Sequence, residues 1–500
     1  MNAAAPMLAS VDLGSNSFRL QICQNHNGQL QVVDSIKEMV RFAAGLDAQK
    51  NLDVASQERA LRCLSKFGER LRGFEPQQVR VVATNTFRVA KNIQEFIPKA
   101  EAALGFPVEV IAGREEARLI YTGVVHTLPP NGDKMLVVDI GGGSTEFVIG
   151  TSVQPDITES LPLGCVTYSI RFFQNKISGK DFQTAVTAAR AEIQRISKAL
   201  KKHGWDFAVG TSGSAKAIRD VLAAETGNAD ERITYAGMKK LAARIADAGS
   251  TKKARFEGLK PERVEVFAGG LAVMIAVFEE LGVSSMRITD AALRDGVFYD
   301  LIGRSLNEDM RDQTVARFQQ RYHVSPKQAE RVKQTAQFLL GSLMRGDSPQ
   351  ELAYWQDYLG WAADLHEIGT DIAYTAYHKH SAYILNQADM PGFSRQEQQL
   401  LSLLCLGQRG DVRKLVEQVG GNRKLWSALF ALRLAVLFCR ARLPLSLPED
   451  MALHYDDKRH FFVLDISGRW LEDNPLTAGA LGDEISQWSK ISPCLQVRPG

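Results

Sequence analysis

Residues 135–150, MLVVDIGGGSTEFVIG, decide the fold. Two apolar, β-branched runs, Leu136 to Val138 and Phe147 to Ile149, flank Asp139, three glycines, Ser144, Thr145 and Glu146. The pattern reads as strand, tight turn, strand. Glycines reach backbone angles closed to other residues and leave no side chain between the amides and a ligand, so such a turn can aim several N–H groups at an anion. Taken alone, the stretch also suits an ordinary glycine-rich hairpin.

The chain says nearly the same thing near its start. Leu8 to Cys23, LASVDLGSNSFRLQIC, carries Val11-Asp12-Leu13-Gly14-Ser15 where the first stretch has Val138-Asp139-Ile140-Gly141-Gly142. The interval is too long for a solenoid unit. It suits two related domains that each give one loop to a shared cleft. Two aspartate-bearing anion loops facing each other would make a phosphate and metal site.

Five hundred residues exceed what one hydrophobic core usually organises, so several domains are expected. A net charge of +3 permits an anionic substrate but lacks the clustered basic excess of a nucleic-acid binder. Cys23, Cys63, Cys165, Cys405, Cys439 and Cys494 are scattered without close pairs, which argues against a zinc site or a disulfide framework and fits a reducing cytoplasm. Asp12 interrupts the first apolar run, so it does not read as a signal peptide. Ala268 to Phe278 and Ala428 to Cys439 are too short to span a bilayer and read as buried helices. The expected location is cytoplasmic, with peripheral membrane association left open.

In chain order, a strand begins at Ser10 to Val11, and Phe18 to Gln24 pairs with Leu30 to Ile36 across Asn27-Gly28, a dipeptide that favours hairpin turns. Val54 to Leu71 reads as helix, Val79 to Ala83 as strand, Phe87 to Leu104 as helix and Val108 to Ile111 as strand. The second unit repeats the order, with Leu136 to Val138, Glu146 to Ile149, Ile157 to Leu161, Phe207 to Val209 and Met286 to Thr289 as strands separated by helices. From about 306 to 445 the spacing is helical: Thr314 to Arg345, Glu351 to Asp364, Ile368 to Asn386, Arg395 to Leu406 and Leu425 to Cys439. Beyond Pro448, Ala452 to Tyr455 and His460 to Ile466 read as strands hinged at Asp456-Asp457-Lys458, followed by a helix near Gly482 to Trp488.

Six ordered motifs carry a resemblance. Asp12-Leu-Gly-Ser-Asn-Ser17, Ala83-Thr-Asn-Thr-Phe-Arg88, Gly113-Arg-Glu-Glu-Ala-Arg118, Asp139-Ile-Gly-Gly-Gly-Ser-Thr-Glu146, Gly210-Thr-Ser-Gly-Ser214 and Ala292-Leu-Arg-Asp-Gly296 resemble the exopolyphosphatase/guanosine pentaphosphate phosphohydrolase family. The chain resembles its long four-domain form over the whole length. That implies an α/β fold with two actin-like (sugar kinase/Hsp70/actin, ribonuclease H-like) domains at 1–123 and 124–305, an all-helical HD-like domain at 306–445 and a small α+β module at 446–500. It also implies a homodimer and removal of terminal phosphates from inorganic polyphosphate or from pppGpp.

The expected metal ligands are Asp139 and Glu146, one on each side of the glycine turn, with Asp12 as their counterpart in the first loop. Mg²⁺ is the expected ion, a hard cation suited to carboxylates, with a monovalent cation such as K⁺ as a second candidate. The family resemblance places the catalytic glutamate at Glu116, with Glu115 as the fallback; in a first helical turn either acid also merely complements the helix dipole. Arg88 is suited to grip a substrate phosphate. Gly14, Ser15, Asn16 and Ser17 in the first loop, Gly141, Gly142, Gly143, Ser144 and Thr145 in the second, and Gly213 and Ser214 in the third would add further donors, the third before a helix starting near Ala215.

The helical domain holds Trp361 to Asp371, WAADLHEIGTD, where His366-Glu367, with Asp371, His378 and His380 beyond, resembles the HD phosphohydrolase pattern with glutamate in place of aspartate. We read it as a relic, and Lys379, Arg409, Arg413, Arg423 and Lys424 as a positive path for a polyanion. The first expectation is a processive, Mg²⁺-dependent exopolyphosphatase; the alternative in the same class is a pppGpp 5′-phosphohydrolase. An ATP-dependent kinase of the same fold and a non-catalytic phosphate or nucleotide sensor are the alternatives of other classes.

Overall fold

Strands β1 (Met7–Leu13), β2 (Phe18–His26) and β3 (Gln29–Glu38) pair antiparallel, and β4 (Val79–Ala83) and β5 (Glu109–Val110) continue the sheet parallel to β1, in the order β3-β2-β1-β4-β5. This computed structural model describes residues 6–26, 29–128, 132–228, 232–305, 309–444 and 446–499, and the expected Asn27-Gly28 turn lies outside them. Contacts divide the chain into two units, Met1–Asp309 and Met310–Gly500.

The second half of the first unit repeats the sheet. Strands β6 (Met135–Ile140), β7 (Thr145–Gly150) and β8 (Ile157–Leu161) are antiparallel, and β9 (Phe207–Thr211) follows parallel to β6. A two-residue β10 (Ile233–Thr234) adds an antiparallel edge to β11 (Ser285–Ile288), giving the order β10-β11-β9-β6-β7-β8. Apart from that edge, both sheets have the same order and sense, the arrangement of an actin-like pair.

Helices Gly113–Thr127 and Leu293–Ser305 fill the space between the sheets. Leu119, Ile120 and Val124 pack with Val137, Val148 and Val209, while Phe298 and Leu301 meet Leu8 and Cys23. The two helices cross with almost nothing between them: a Cβ on Gly296 would lie 1.7 Å from the Leu119 carbonyl oxygen. Beside the crossing, the Arg118 guanidinium donates to Glu115 at 2.8 Å through each of two nitrogens and also to Asp300, which in turn accepts from Arg80 of β4 and from Arg304. Burial alone would raise the Asp300 carboxyl; Arg118, Arg80 and Arg304 together hold it far below the usual carboxylate range.

The helix expected over Phe87 to Leu104 is two helices, Asn85–Val89 and Ile93–Leu104. Ala90 is extended, the Lys91 amide donates to the Lys50 carbonyl at 2.9 Å, and the Asn92 side chain clasps both backbone groups of Leu52. These long-range bonds outweigh local propensity.

In the second unit, helices Met310–Arg321, Pro326–Leu343, Pro349–Leu365, Tyr377–Gln387, Arg395–Gly407 and Arg423–Phe438 surround one core. The continuous helix expected over Ile368 to Asn386 is broken: Ile368–Asp371 is a 3₁₀ turn and Ala376 takes a left-handed φ of 56°. Ser381 causes the fold-back, accepting from the Gly369 amide at 2.9 Å while donating to the His366 carbonyl at 3.0 Å. Beyond these, β12 (Ala452–Asp456) and β13 (Phe461–Ile466) form the expected hairpin, and β14 (Cys494–Pro499), which periodicity does not reveal, pairs parallel to β13. Phe462 stacks on Phe430 at 4.3 Å, so this sheet shares the helical core. Among the described residues no helix is long and apolar enough to cross a membrane.

Asp300→Ala would take the shared acceptor from Arg118 and Arg80, whose side chains are 7% and 1% exposed, leaving them only Glu115 and Glu109 respectively. Removing one partner of a buried ion network costs about 3–5 kcal/mol. Chemical denaturation of the full chain should register a loss of that size, and an unchanged midpoint would remove the network from the fold's stabilising contacts.

Candidate active site

The repeated hairpins place their turns face to face. A Cβ on Gly142 would lie 2.9 Å from Ser15 Cβ, and one on Gly143 would lie 2.5 Å from Asn85 Oδ1, so the close approach of the two loops requires glycine. The second turn is closed by the Gly141 amide donating to the Ser144 carbonyl at 2.9 Å. Its back is held by helix Cys165–Phe172, whose first amides, of Cys165 and Val166, donate to the Gly141 and Gly142 carbonyls, both at 2.9 Å. Between the loops lies a cleft of about 210 Å³, lined by Asp12, Gly14 to Ser17, Glu116, Asp139 and Gly141 to Ser144.

The third loop is not a loop. Strand β9 runs to Thr211 and the helix starts at Ser212, three residues before the expected start, with Ser212 at a left-handed φ of 64°. The Ser212 and Ser214 hydroxyls both donate to the Ile140 carbonyl at 2.9 Å, which ties the helix start to β6. Gly213 lines the cleft under the Arg263 guanidinium, where a Cβ would collide at 1.5 Å. The positive end of a fifteen-residue helix therefore opens onto the cleft.

Strand register brings the acids together. Asp139 and Glu146 are direct partners across β6 and β7, so their side chains share a face. Thr211 donates its hydroxyl to Asp139 Oδ2, and Ser160 donates to Glu146 Oε1 at 2.9 Å. Burial, joined by the nearby Glu116 charge, pushes Asp139 up to about 6 and Asp12 up to about 7. Burial, Glu116 and Asp139 together drive Glu146 well above the carboxylate range. Glu146 Oε2 is buried without a hydrogen-bond partner. Among the described residues no three Asp, Glu, His or Cys side chains converge as a complete metal site. An orphaned carboxylate oxygen beside two further acids nevertheless fits a hydrated divalent cation that takes one or two protein carboxylates and fills its other positions with water and phosphate.

Helix Gly113–Thr127 separates its two acids by one residue of rotation. Glu116 faces the cleft, where burial raises its carboxyl and Arg88 opposes the rise. Arg88 sits in the short helix Asn85–Val89 and uses Nη1 to donate to Glu116 Oε2 at 2.8 Å and to the Ile111 carbonyl at 2.9 Å. Glu115 points the other way, into the Arg118–Asp300 network, and does not line the cleft.

The remaining expected donors divide. Asn16 lines the cleft, and its Nδ2 is buried with no partner. Ser15 Oγ accepts from the Thr86 hydroxyl at 2.8 Å. Thr145 and Ser214 are buried supports: the Thr145 hydroxyl donates to the Leu163 carbonyl, and neither lines the cleft. Sequence reasoning missed a basic rim of Arg19, Lys37, Lys216, Arg263 and Arg294. Arg294 lay within a quoted motif and Lys216 two residues beyond another, whereas Arg19 and Lys37 become neighbours only through the β2–β3 register.

The profile of the Ppx/GppA phosphatase family matches residues 21–305, and that of Ppx/GppA phosphatase, domain III, matches residues 310–485. A guanosine-5'-triphosphate,3'-diphosphate pyrophosphatase of Pseudoalteromonas translucida (strain TAC 125) is 39% identical over 486 residues, covering 97% of this chain and 96% of its own. Among solved structures, an exopolyphosphatase from Cytophaga hutchinsonii matches with a TM-score of 0.55 at 21% identity, over 60% of this chain and 98% of its own, a likeness of fold. A Ppx/GppA family member from Aquifex aeolicus matches with a TM-score of 0.50 at 28% identity, over 61% of this chain and 99% of its own. With two family profiles spanning both units and a relative aligned almost end to end, the chain belongs to the Ppx/GppA phosphatase family.

Proposed function

We propose that the protein hydrolyses the terminal 5′-phosphate of guanosine 5′-triphosphate 3′-diphosphate, with water as nucleophile and Glu116 as general base. The chemistry rests on one observation: Glu116 stands in the same cleft as two facing glycine turns and a helix N-terminus. The substrate choice is supported by the near full-length relative, which bears the name of that activity. Polyphosphate, the first expectation from sequence, offers the same terminal anhydride and is the competing substrate.

Phosphoryl transfer asks little covalent chemistry of a protein, so positioning and charge carry the rate. The turn amides and Asn16 Nδ2 hold the terminal phosphoryl oxygens, and the Arg88 bond orients the Glu116 carboxylate toward the attacking water. Arg19, Lys37, Lys216 and Arg263 balance the remaining phosphates. Asp139, Glu146 and Asp12 would hold a divalent cation such as Mg²⁺, whose contribution is to polarise the phosphoryl oxygens and offset their charge.

Phosphate release with Mg²⁺, from pppGpp and from long-chain polyphosphate at matched terminal-phosphate concentration, tests the reading. Preference for pppGpp is expected; faster release from polyphosphate, with full-length chains persisting, would restore the exopolyphosphatase. Binding without release would make the protein a sensor, and acceptor-dependent ADP formation from ATP would make it a kinase. Glu116→Gln should lower kcat by about 100-fold or more with KM little changed, the scale of general-base catalysis; unchanged turnover would free Glu116 of that role.

The raised carboxyls also set a pH dependence. Their folded pKa values exceed the unfolded ones, so their contribution to stability is complete below about 4 and is lost as pH rises through about 6 to 7. The metal-free protein should therefore melt at lower temperature as pH climbs across that window. Mg²⁺ should raise the melting temperature more at about pH 8 than at about pH 5, because only ionised carboxylates bind it. An equal Mg²⁺ effect at both values would place the cation elsewhere.

A further inference from the structure

The positive path expected on the second unit largely neutralises itself. Arg413 is forked onto Asp411 at 2.9 and 2.6 Å, Arg423 onto Asp347 at 2.9 Å through both oxygens, and Lys424 pairs with Glu351 and Asp347. Lys379 and Arg409 remain, and the fold brings them together with His378 and Lys414 around an open cavity of about 650 Å³.

Among the described residues none of these four is paired with a carboxylate. The Lys414 ammonium donates to the Arg409 carbonyl at 2.9 Å, and the Arg409 guanidinium lies 5.8 Å from the Tyr377 ring centre. Asp411 is the one acid on the cavity wall and is already held by Arg413. His378 is 7% exposed, and its Nδ1 has no hydrogen-bond partner. The other side of its ring faces Gly410, where a Cβ would lie 3.3 Å from Nε2. The eleven-residue helix Tyr377–Gln387 also starts at this cavity and turns its positive end toward it. Burial and the surrounding cations push His378 down to about 4 and Lys414 down to about 8. The cations thus disfavour the charged forms of His378 and Lys414, and a metal ion would add to that repulsion.

We propose that this cavity is a second anion site, taking a phosphate or pyrophosphate group between Lys379, Arg409 and Lys414 with the His378 ring as its buried hydrogen-bonding wall. It is built entirely from the second unit and does not rest on the activity proposed for the first. The same chemistry would hold the group whether it arrives free or attached to a nucleotide.

The test follows the His378 ring resonance by NMR in the full chain, assigned by its loss in His378→Gln, during titration with pyrophosphate. The resonance should shift to saturation, and Lys414→Gln should weaken the midpoint at least about tenfold, a difference of ~1.4 kcal/mol. If Lys414→Gln does not fold, Lys379→Gln, altered at an exposed position, should show a loss in the same direction. Parallel titrations with orthophosphate and with GTP identify the source, a lower midpoint for orthophosphate assigning the site to free phosphate and one for GTP to a nucleotide's phosphates. A resonance unmoved through about 10 mM pyrophosphate, or a midpoint unchanged in a folded lysine variant, would overturn the proposal.

Discussion

Asp12, Glu116 and Asp139 line one cleft with Glu146 buried beside Asp139, and the Glu116 charge raises the carboxyls of the other three. Left to themselves they would separate or take up protons, because burial removes the solvent that would screen them. Much of the first unit's construction resists this. Two buried sheets fix the aspartates at strand ends, glycine lets the two turns touch, and Arg88 reaches across to Glu116. Glu115, one position away, anchors the same helix from the opposite side through Arg118 and Asp300. Adjacent acids in one helical turn thereby have opposite duties: one faces the cleft, and the other fixes the rotation of the helix that presents it.

The hairpins were legible because their signal is local. Alternating apolar runs around glycine state both the strand and the turn, and the duplicate at Asp12 states the partnership. What escaped reading depends on contacts distant in sequence. The break at Ala90 to Asn92 answers to Leu52, the break before Tyr377 answers to Ser381, and β14 joins a sheet whose other strands end nearly thirty positions earlier. The same division runs through the site. Asp139 and Glu146 could be paired from their spacing about a turn, whereas Arg19 and Lys37 face one another only because β2 and β3 settle into a particular register. Thr145 and Ser214 have the right chemistry for a ligand, but backbone carbonyls claim their hydroxyls.

In the HD-like stretch the charge pattern is present but its side chains do not share one geometry. His366 Nδ1 is bound to the Ala363 carbonyl at 2.6 Å, Glu367 is taken by Arg442, and Asp371 pairs with His323 at 3.1 Å. The side chains that would share one cation are thus engaged by three separate partners. Residue type alone could not reveal this, since each of those partners is distant in sequence from the motif or belongs to its backbone.

The duplicated hairpins differ at one telling position. Across the strand pair, Asp139 faces Glu146, whereas the corresponding Asp12 faces Arg19. Two copies of one backbone thus present opposite signs at equivalent points, while the basic rim of the cleft draws on both halves, Arg19 and Lys37 from the first and Lys216 and Arg263 from the second. The duplication therefore repeats the shape of the hairpin without its charge: one copy neutralises its aspartate across the strand pair, and the other sets a second acid against it.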